Sequence, residues 1–331
     1  MRKPLYWLTL LLTVVLIAGL VLSGCAKSPK AVVLSYCAPT AGQSLLWVAD
    51  EAGLFQEYGL ETTIEYINSK DQPVACAGGH IDVAMGPASL VVGAMLEGAD
   101  LMEYGIFLPY MQGTLYAQKD IKTTADLKGK IVGGEAKTVN PVDTQIEAAL
   151  KAVGLDPEKD VERQYMDSTI REAAFFSGAI DATVLFPPQV FRAEREGYTL
   201  IFSVREAKLP FPTLSLYGNR TWVSENEDAM LAVCKGFVEG IALMNKDPQF
   251  AAEVISKWTK DPNMEVALAG AKYYSEALPR VPMWDDQIMQ FTLNSLAKQK
   301  PAAATANPSD FYDTSFLDKL VKDGFVDEVW K

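Results

Sequence analysis

Histidine is nearly absent from this chain: His80 is the single one in 331 residues. One imidazole is too few for an ordinary zinc site or a His-based nucleophile system. Cysteine is scarce as well, limited to Cys25, Cys37, Cys76 and Cys234, and no two of them form a CxxC pair. No GxSxG elbow, HExxH pair or Walker loop occurs anywhere. These absences read as a protein that is not an enzyme and carries no cofactor and no metal. Positive charge is also short, with 30 Lys and Arg against 42 Asp and Glu and a net charge of −12. Phosphate binding requires clustered Lys and Arg, so nucleic acid is excluded as a partner.

Long apolar runs are missing too, except at the start. Arg2 and Lys3 precede an apolar stretch from Leu5 to Leu22, which ends in Ser23-Gly24-Cys25. A basic segment, a hydrophobic run and small residues describe a secretory signal. Leu22-Ser23-Gly24-Cys25 resembles the lipobox of bacterial lipoproteins, in which the Cys is acylated and becomes the first mature residue. The resemblance implies that residues 1–24 are a signal peptide and that Cys25 is the lipidation site, a palmitate-type anchor. A retained membrane-spanning anchor is the alternative, since the run approaches the roughly 20 residues that cross a bilayer. Residues 25–30 are short and polar and suit a tether. Removing Arg2 and Lys3 with the signal takes the net charge from −12 to −14, ordinary for an exported soluble protein. If Cys25 is acylated, three thiols remain, and a Cys37–Cys76 bridge or buried free thiols are both open.

The remaining chain, roughly 300 residues, suffices for two lobes. Val32 to Tyr36 reads as a buried strand, Gln43 to Tyr58 as a helix closed by Gly59, and Leu60 to Ile67 as the next strand. This βαβ order predicts a parallel sheet. The stretch Gly79-His80-Ile81-Asp82-Val83-Ala84 is echoed by Gly178-Ala179-Ile180-Asp181-Ala182-Thr183, each after a helix end and before a Pro-containing loop. One α-turn-β unit used once in each of two lobes explains the echo. Asp82 and Asp181 fall at matched turns and read as structural, and Trp47 reads as core. From Asn226 onward the pattern is helical (Asp228 to Met244, Pro248 to Thr259, Met264 to Ser275, Asp285 to Lys298). Lys300 to Pro308 reads as a loop before a last helix at Thr314 to Asp323.

Several phrases carry a family resemblance: Ala52-Gly53-Leu54-Phe55 with Tyr58-Gly59-Leu60, Gly79 to Ala84, Asp126-Leu127-Lys128-Gly129-Lys130, Gly154-Leu155, and Ser177 to Ala182. In order and spacing the chain resembles the SsuA/TauA/THI5-like (NMT1-like) periplasmic solute-binding proteins of ABC transporters. Those serve importers of nitrate, alkanesulfonates, taurine and thiamine-pyrimidine precursors. The resemblance implies an α/β, two-lobed, periplasmic-binding-protein-like (type II) clamshell with two crossover strands and a helical C-terminal part. The crossovers are expected near Gly113–Gln118 and Thr213–Gly218, with lobe one at residues 31–115 plus 219–331 and lobe two at 118–212. It also implies a monomer tethered at the outer face of the cytoplasmic membrane or in the periplasm. Its partners would be a small-molecule solute, an ABC permease with its ATPase, and the membrane through the lipid anchor. A ligand-binding sensor or accessory lipoprotein shares the same clamshell and stays open. The yeast-type thiamine-pyrimidine synthase shares it as well, but depends on histidine and a cysteine-rich motif that this chain lacks.

Ligands of open parallel sheets sit beyond the carboxyl ends of the strands. Five loops occupy that position: Cys37–Ser44, Gly86–Ser89, Tyr110–Thr114, Glu135–Asn140 and Phe186–Gln189. The candidate ligand-binding residues are Tyr36, Thr40, Gln43, Ser44, Pro87, Ser89, Tyr110, Thr138, Asn140, Phe186 and Gln189. Polar residues at helix starts either bind the ligand or simply cap the helix, and the aromatic rings either stack on it or fill core. None of the five loops contains Arg, and Lys137 is their sole Lys. A bidentate clamp for nitrate or sulfonate is therefore not evident. Arg163, Arg171 and Arg192 remain able to reach the cleft through folding. The reading favours an organic, planar or zwitterionic solute.

Overall fold

The structure, a computed structural model, describes residues 29–137 and 141–331. Its strands are β1 (Lys30–Tyr36), β2 (Leu60–Tyr66), β3 (Val83–Gly86), β4 (Leu101–Tyr110), β5 (Thr114–Ala117), β6 (Ile131–Gly134), β7 (Glu162–Tyr165), β8 (Ala182–Leu185), β9 (Thr199–Ser203) and β10 (Pro210–Asn219). They form two five-stranded sheets, ordered β2-β1-β3-β10-β4 and β7-β6-β8-β5-β9. The two orders match position by position. In each, three parallel strands are followed by one strand antiparallel to its neighbours, β10 in the first sheet and β5 in the second.

That antiparallel strand is where the chain changes lobes. It leaves the first sheet after β4, enters the second through β5, and returns through β10. The passages are therefore residues 111–113 and 204–209, and both β5 and β10 lie wholly within a sheet. The passages are tied to each other by Met111 N–H to Leu209 O at 2.9 Å and Val204 N–H to Gly113 O at 3.1 Å.

The first lobe is the larger because the C-terminal helices pack on it. The helix Glu227–Lys246 buries Phe237 against Phe55 and Phe107, with ring centroids 5.4 and 5.0 Å apart. Close approach needs Gly236, where a Cβ would stand 2.5 Å from the Phe55 ring. Each fully buried ring or branched aliphatic here stabilises the fold by about 1.5–3 kcal/mol. The second lobe has its own apolar centre around Leu115, Val132, Ile146, Leu150 and Val184.

Two local readings are corrected. The helix expected over Gln43 to Tyr58 is broken: a 3-10 turn at Ala41–Gln43 leads into Ser44–Glu51, and Leu54–Glu57 follows separately. Gly53 separates them at φ 74°, a left-handed conformation that suits glycine. The loop expected at Lys300 to Pro308 winds instead into 3-10 turns at Pro301–Ala304 and Pro308–Asp310, each opened by a proline at its first position. Cys37, Cys76 and Cys234 are all free thiols. Among the described residues no helix is long and apolar enough to cross a membrane. Cys25 lies outside the described residues.

Candidate interlobe site

The carboxyl ends of β1 and β3 in one lobe, and of β6 and β8 in the other, carry the loops predicted to meet ligand. After β1 the chain turns through Pro39 and Thr40 into the helical start at Gln43 and Ser44. Both side chains are buried, 7% and 1% exposed. The Gln43 amide donates to Cys37 Sγ at 3.5 Å. Gln43 Oε1 and Ser44 Oγ meet no protein partner among the described residues. A buried polar atom left unpaired costs about 1–3 kcal/mol, but neither Gln43 nor Ser44 is among the described residues that line the cavity beside them. Burial pushes the Cys37 thiol up to about 11, against smaller lowering effects from its own backbone and the Gln43 amide. It is a neutral thiol and not an activated nucleophile.

A cavity of about 280 Å³ lies where the two lobes' loops converge. Pro39, Thr40 and Ala41 line it from the first lobe, and Pro187, Pro188 and Phe191 from the second. The C-terminal helices close it with Ile255, Thr259, Val266, Ala267 and Gly270, and Asp261 is the one charged side chain in its lining among the described residues. The Pro187–Pro188 peptide bond on the second-lobe wall is cis. Few polar groups in an apolar, pre-formed concavity is the usual character of a small-molecule site.

The remaining predicted residues are distributed as follows. Thr40 lines the cavity. Tyr36 is half-buried in an aromatic cluster, 5.2 Å from Trp47, 5.5 Å from Tyr66 and 5.8 Å from Trp258. Burial, then the neighbouring Tyr66, raises its hydroxyl pKa. Trp47 is fully buried and stacks on Trp258. Pro87 and Ser89 are half-buried at the start of the helix Ala88–Met95. Tyr110 closes β4, and its carbonyl accepts the Gln112 amide at 2.8 Å. Phe186 lies against Gly113, whose Cβ would stand 3.4 Å from its ring. Gln189 is engaged with Glu172, to which its amide donates at 2.6 Å. Thr138 and Asn140 lie outside the described residues.

The arginines are spent elsewhere. Arg163 pairs with Asp143, both nearly buried. Arg171, 1% exposed, donates to Thr183 Oγ1 at 2.7 Å and to the Val184 carbonyl. It stands 3.9–4.0 Å from Glu135 and Glu172. Burial pulls its pKa down, and the nearby carboxylates act against that. Arg192 lies 3.7 Å over the Phe176 ring and pairs with Glu196. Among the described residues, no arginine lines the cavity.

Sequence reasoning passed over Gln112, Phe191 and Asp261. Gln112 sits inside a predicted loop, and its Oε1 is buried without a partner among the described residues. Phe191 follows Gln189 by two residues, so the helix after the prolines carried a signal. Asp261 reaches the cavity from a helix end far along the chain, and no local pattern marks it.

Comparison with known proteins places this geometry. A family model described as NMT1/THI5 like matches residues 43–251. The formylaminopyrimidine-binding protein of Halalkalibacterium halodurans is 25% identical over 225 residues, covering 66% of this chain and 67% of that protein. The periplasmic aliphatic sulphonate binding protein SsuA of Escherichia coli superposes with a TM-score of 0.68 at 18% identity, over 86% of this chain and 92% of SsuA. The desulfurization enzyme DSZB matches with a TM-score of 0.61 at 15% identity, over 88% of this chain and 99% of the enzyme. The fold is thus the periplasmic-binding-protein-like α/β clamshell expected from the sequence, and it is shared by binding proteins and an enzyme alike.

Proposed function

The chain belongs to the NMT1/THI5-like family, and from that membership we propose that it is the solute-binding component of an ABC importer. In this reading it is a monomeric lipoprotein, anchored through Cys25 at the outer face of the cytoplasmic membrane or in the periplasm. It takes an organic, planar or zwitterionic solute between its lobes and hands it to the permease. Lobe one is assigned to residues 31–110 plus 210–331 and lobe two to 114–203, which moves the bounds expected from the sequence (31–115 plus 219–331, and 118–212) to the two passages between the sheets. Tyr36, Thr40, Gln43, Ser44, Pro87, Ser89, Tyr110, Thr138, Asn140, Phe186 and Gln189 are the assigned contacts, with Phe191 and Gln112 added.

The observation that carries the reading is the 280 Å³ cavity shared by Thr40 of one lobe and Phe191 of the other. Its described lining holds one aromatic ring (Phe191), three prolines, two threonines and several aliphatics with a single carboxylate, which favours a neutral or partly cationic planar group over a bare anion. The name of the formylaminopyrimidine-binding relative agrees with a nitrogen heterocycle. Catalysis is not proposed. His80 is exposed and pairs with Glu65 at 3.1 Å, and Cys37 is held as a neutral thiol. Neither forms a nucleophile–base pair.

A thermal-shift screen tests this, because a solute that binds only the folded state raises the melting temperature with concentration. The panel holds pyrimidines, flavins, aromatic acids, amino acids, sulfonates and nitrate. A concentration-dependent rise with planar heterocycles supports the proposal. A rise with nitrate or sulfonates alone contradicts the assigned solute class. Labelling with a fatty acid that survives Cys25→Ser would contradict the anchor.

A further inference from the structure

One side chain of the C-terminal helix Met264–Ala277 touches both passages between the lobes and the second-lobe wall of the cavity. The hydroxyl of Tyr273 donates to the carbonyl of Gln112, in the first passage between lobes. The guanidinium of Arg205, in the second passage, lies 4.1 Å over the Tyr273 ring. Arg205 is held there by Glu276 on the same helix, at 3.0 Å. The ring of Phe191, on the second-lobe wall of the cavity, meets Tyr273 edge-on at 6.1 Å between centroids.

We infer that Tyr273 is the positioning residue of the interlobe hinge, tying both passages and the second-lobe wall to the first lobe. The contacts are of three kinds and reach three separate segments. Tyr273 is itself 8% exposed, so its hydroxyl has little access to water as an alternative partner. A cation over an aromatic face is an attractive contact, strengthened here because Tyr273 is buried. The passages are otherwise joined by few backbone bonds, among them Met111 to Leu209 and Val204 to Gly113. A hinge of so few residues absorbs the whole rotation between lobes. Fixing both strands of it from one side chain therefore fixes where Phe191 stands against Thr40. The inference rests on the hinge geometry and holds whatever the solute is.

Amide hydrogen exchange on the full chain, with no solute added, tests it through Tyr273→Phe and Arg205→Ala. Losing the Tyr273 hydroxyl removes one buried hydrogen bond, and the expected result is about tenfold faster exchange at Met111 and Val204. The amides of the helix Glu227–Lys246 keep their protection. Arg205→Ala, a change on a partly exposed residue, gives the same pattern and serves if Tyr273→Phe does not fold. Unchanged exchange at Met111 and Val204 in the folded variants would overturn the inference, and so would faster exchange confined to residues 264–277. The last result would mean that Tyr273 only packs its own helix.

Discussion

The carboxylate of Asp181 accepts the backbone N–H of Ile131 at 2.8 Å. Asp82 does the same for Val33, also at 2.8 Å. In both cases the backbone answers in return, Asp82 N–H to Val33 O at 3.0 Å and Asp181 N–H to Ile131 O at 2.9 Å. Each aspartate thus closes the entry of one parallel strand onto its neighbour, β3 onto β1 in the first lobe and β8 onto β6 in the second. The echo Ile-Asp in the sequence is one hydrogen-bonding device built twice. Replacing either aspartate with alanine leaves a strand N–H without its acceptor, and we expect a loss of about 1–3 kcal/mol in urea unfolding. Asp82→Ala and Asp181→Ala, 99 positions apart and in different lobes, are expected to add.

Glu103 offers a pH-dependent test. It is fully buried, accepts from Ser215 Oγ at 3.0 Å, and burial holds its pKa well above 4.5 while Ser215 and Trp284 pull the other way. The folded value is raised, so the neutral acid is the form that folds. Its contribution is whole below about pH 4.5 and is lost as the pH rises from there toward the folded value. Glu103→Gln removes that loss. Urea unfolding at pH 8 is expected to show the variant more stable than the native chain, with the difference vanishing near pH 4. A variant less stable at pH 8 would contradict the burial argument.

Gly113 sits in the first passage with no room for a side chain. A Cβ there would stand 2.3 Å from Val184 and 2.9 Å from Gln145 Oε1. Overpacking of this kind costs about 1–3 kcal/mol. Gly113→Ala is expected to lower the melting temperature and to weaken solute binding through Phe186, which lies against the same position. Calorimetry reads both.

Cys37 is half-buried, whereas Cys76 and Cys234 are fully buried. With the thiol pushed up to about 11, its reaction with an aromatic disulfide is expected to be slow at pH 7.5. The rate should rise about tenfold per pH unit toward pH 10, following the thiolate fraction. Cys37→Ser should abolish it. Fast reaction that ignores pH would show an activated thiol and reopen a catalytic reading.

Much of the fold was legible because its signals are local. The strand Val32 to Tyr36, the helix Pro248–Thr259 and the paired Ile-Asp turns each follow from a few adjacent residues, as apolar runs, an N-terminal proline or a turn do. The break at Gly53 was not legible, since glycine inside an apolar helical pattern gives no measure of which conformation it takes. The loops of the candidate site were legible as segments that follow strands. Thr40 follows β1 and the Phe186-Pro187-Pro188 stretch follows β8, and Thr40, Pro187 and Pro188 line one cavity. The third wall was not legible. Tyr273 meets Gln112 across 161 residues, and no periodicity reports a contact of that range. Arg171 illustrates the same limit: its helix is evident, but its burial against Thr183 depends on where β8 lies.

The most direct test of the central claim is titration calorimetry of the solute giving the largest thermal shift, against the native chain and Phe191→Ala. If a planar organic solute is held between Thr40 and Phe191, native binding shows a negative heat-capacity change. The variant then binds at least about tenfold more weakly while keeping its fold. Equal affinity in the two proteins, or tight binding of nitrate and sulfonates alone, would contradict the account.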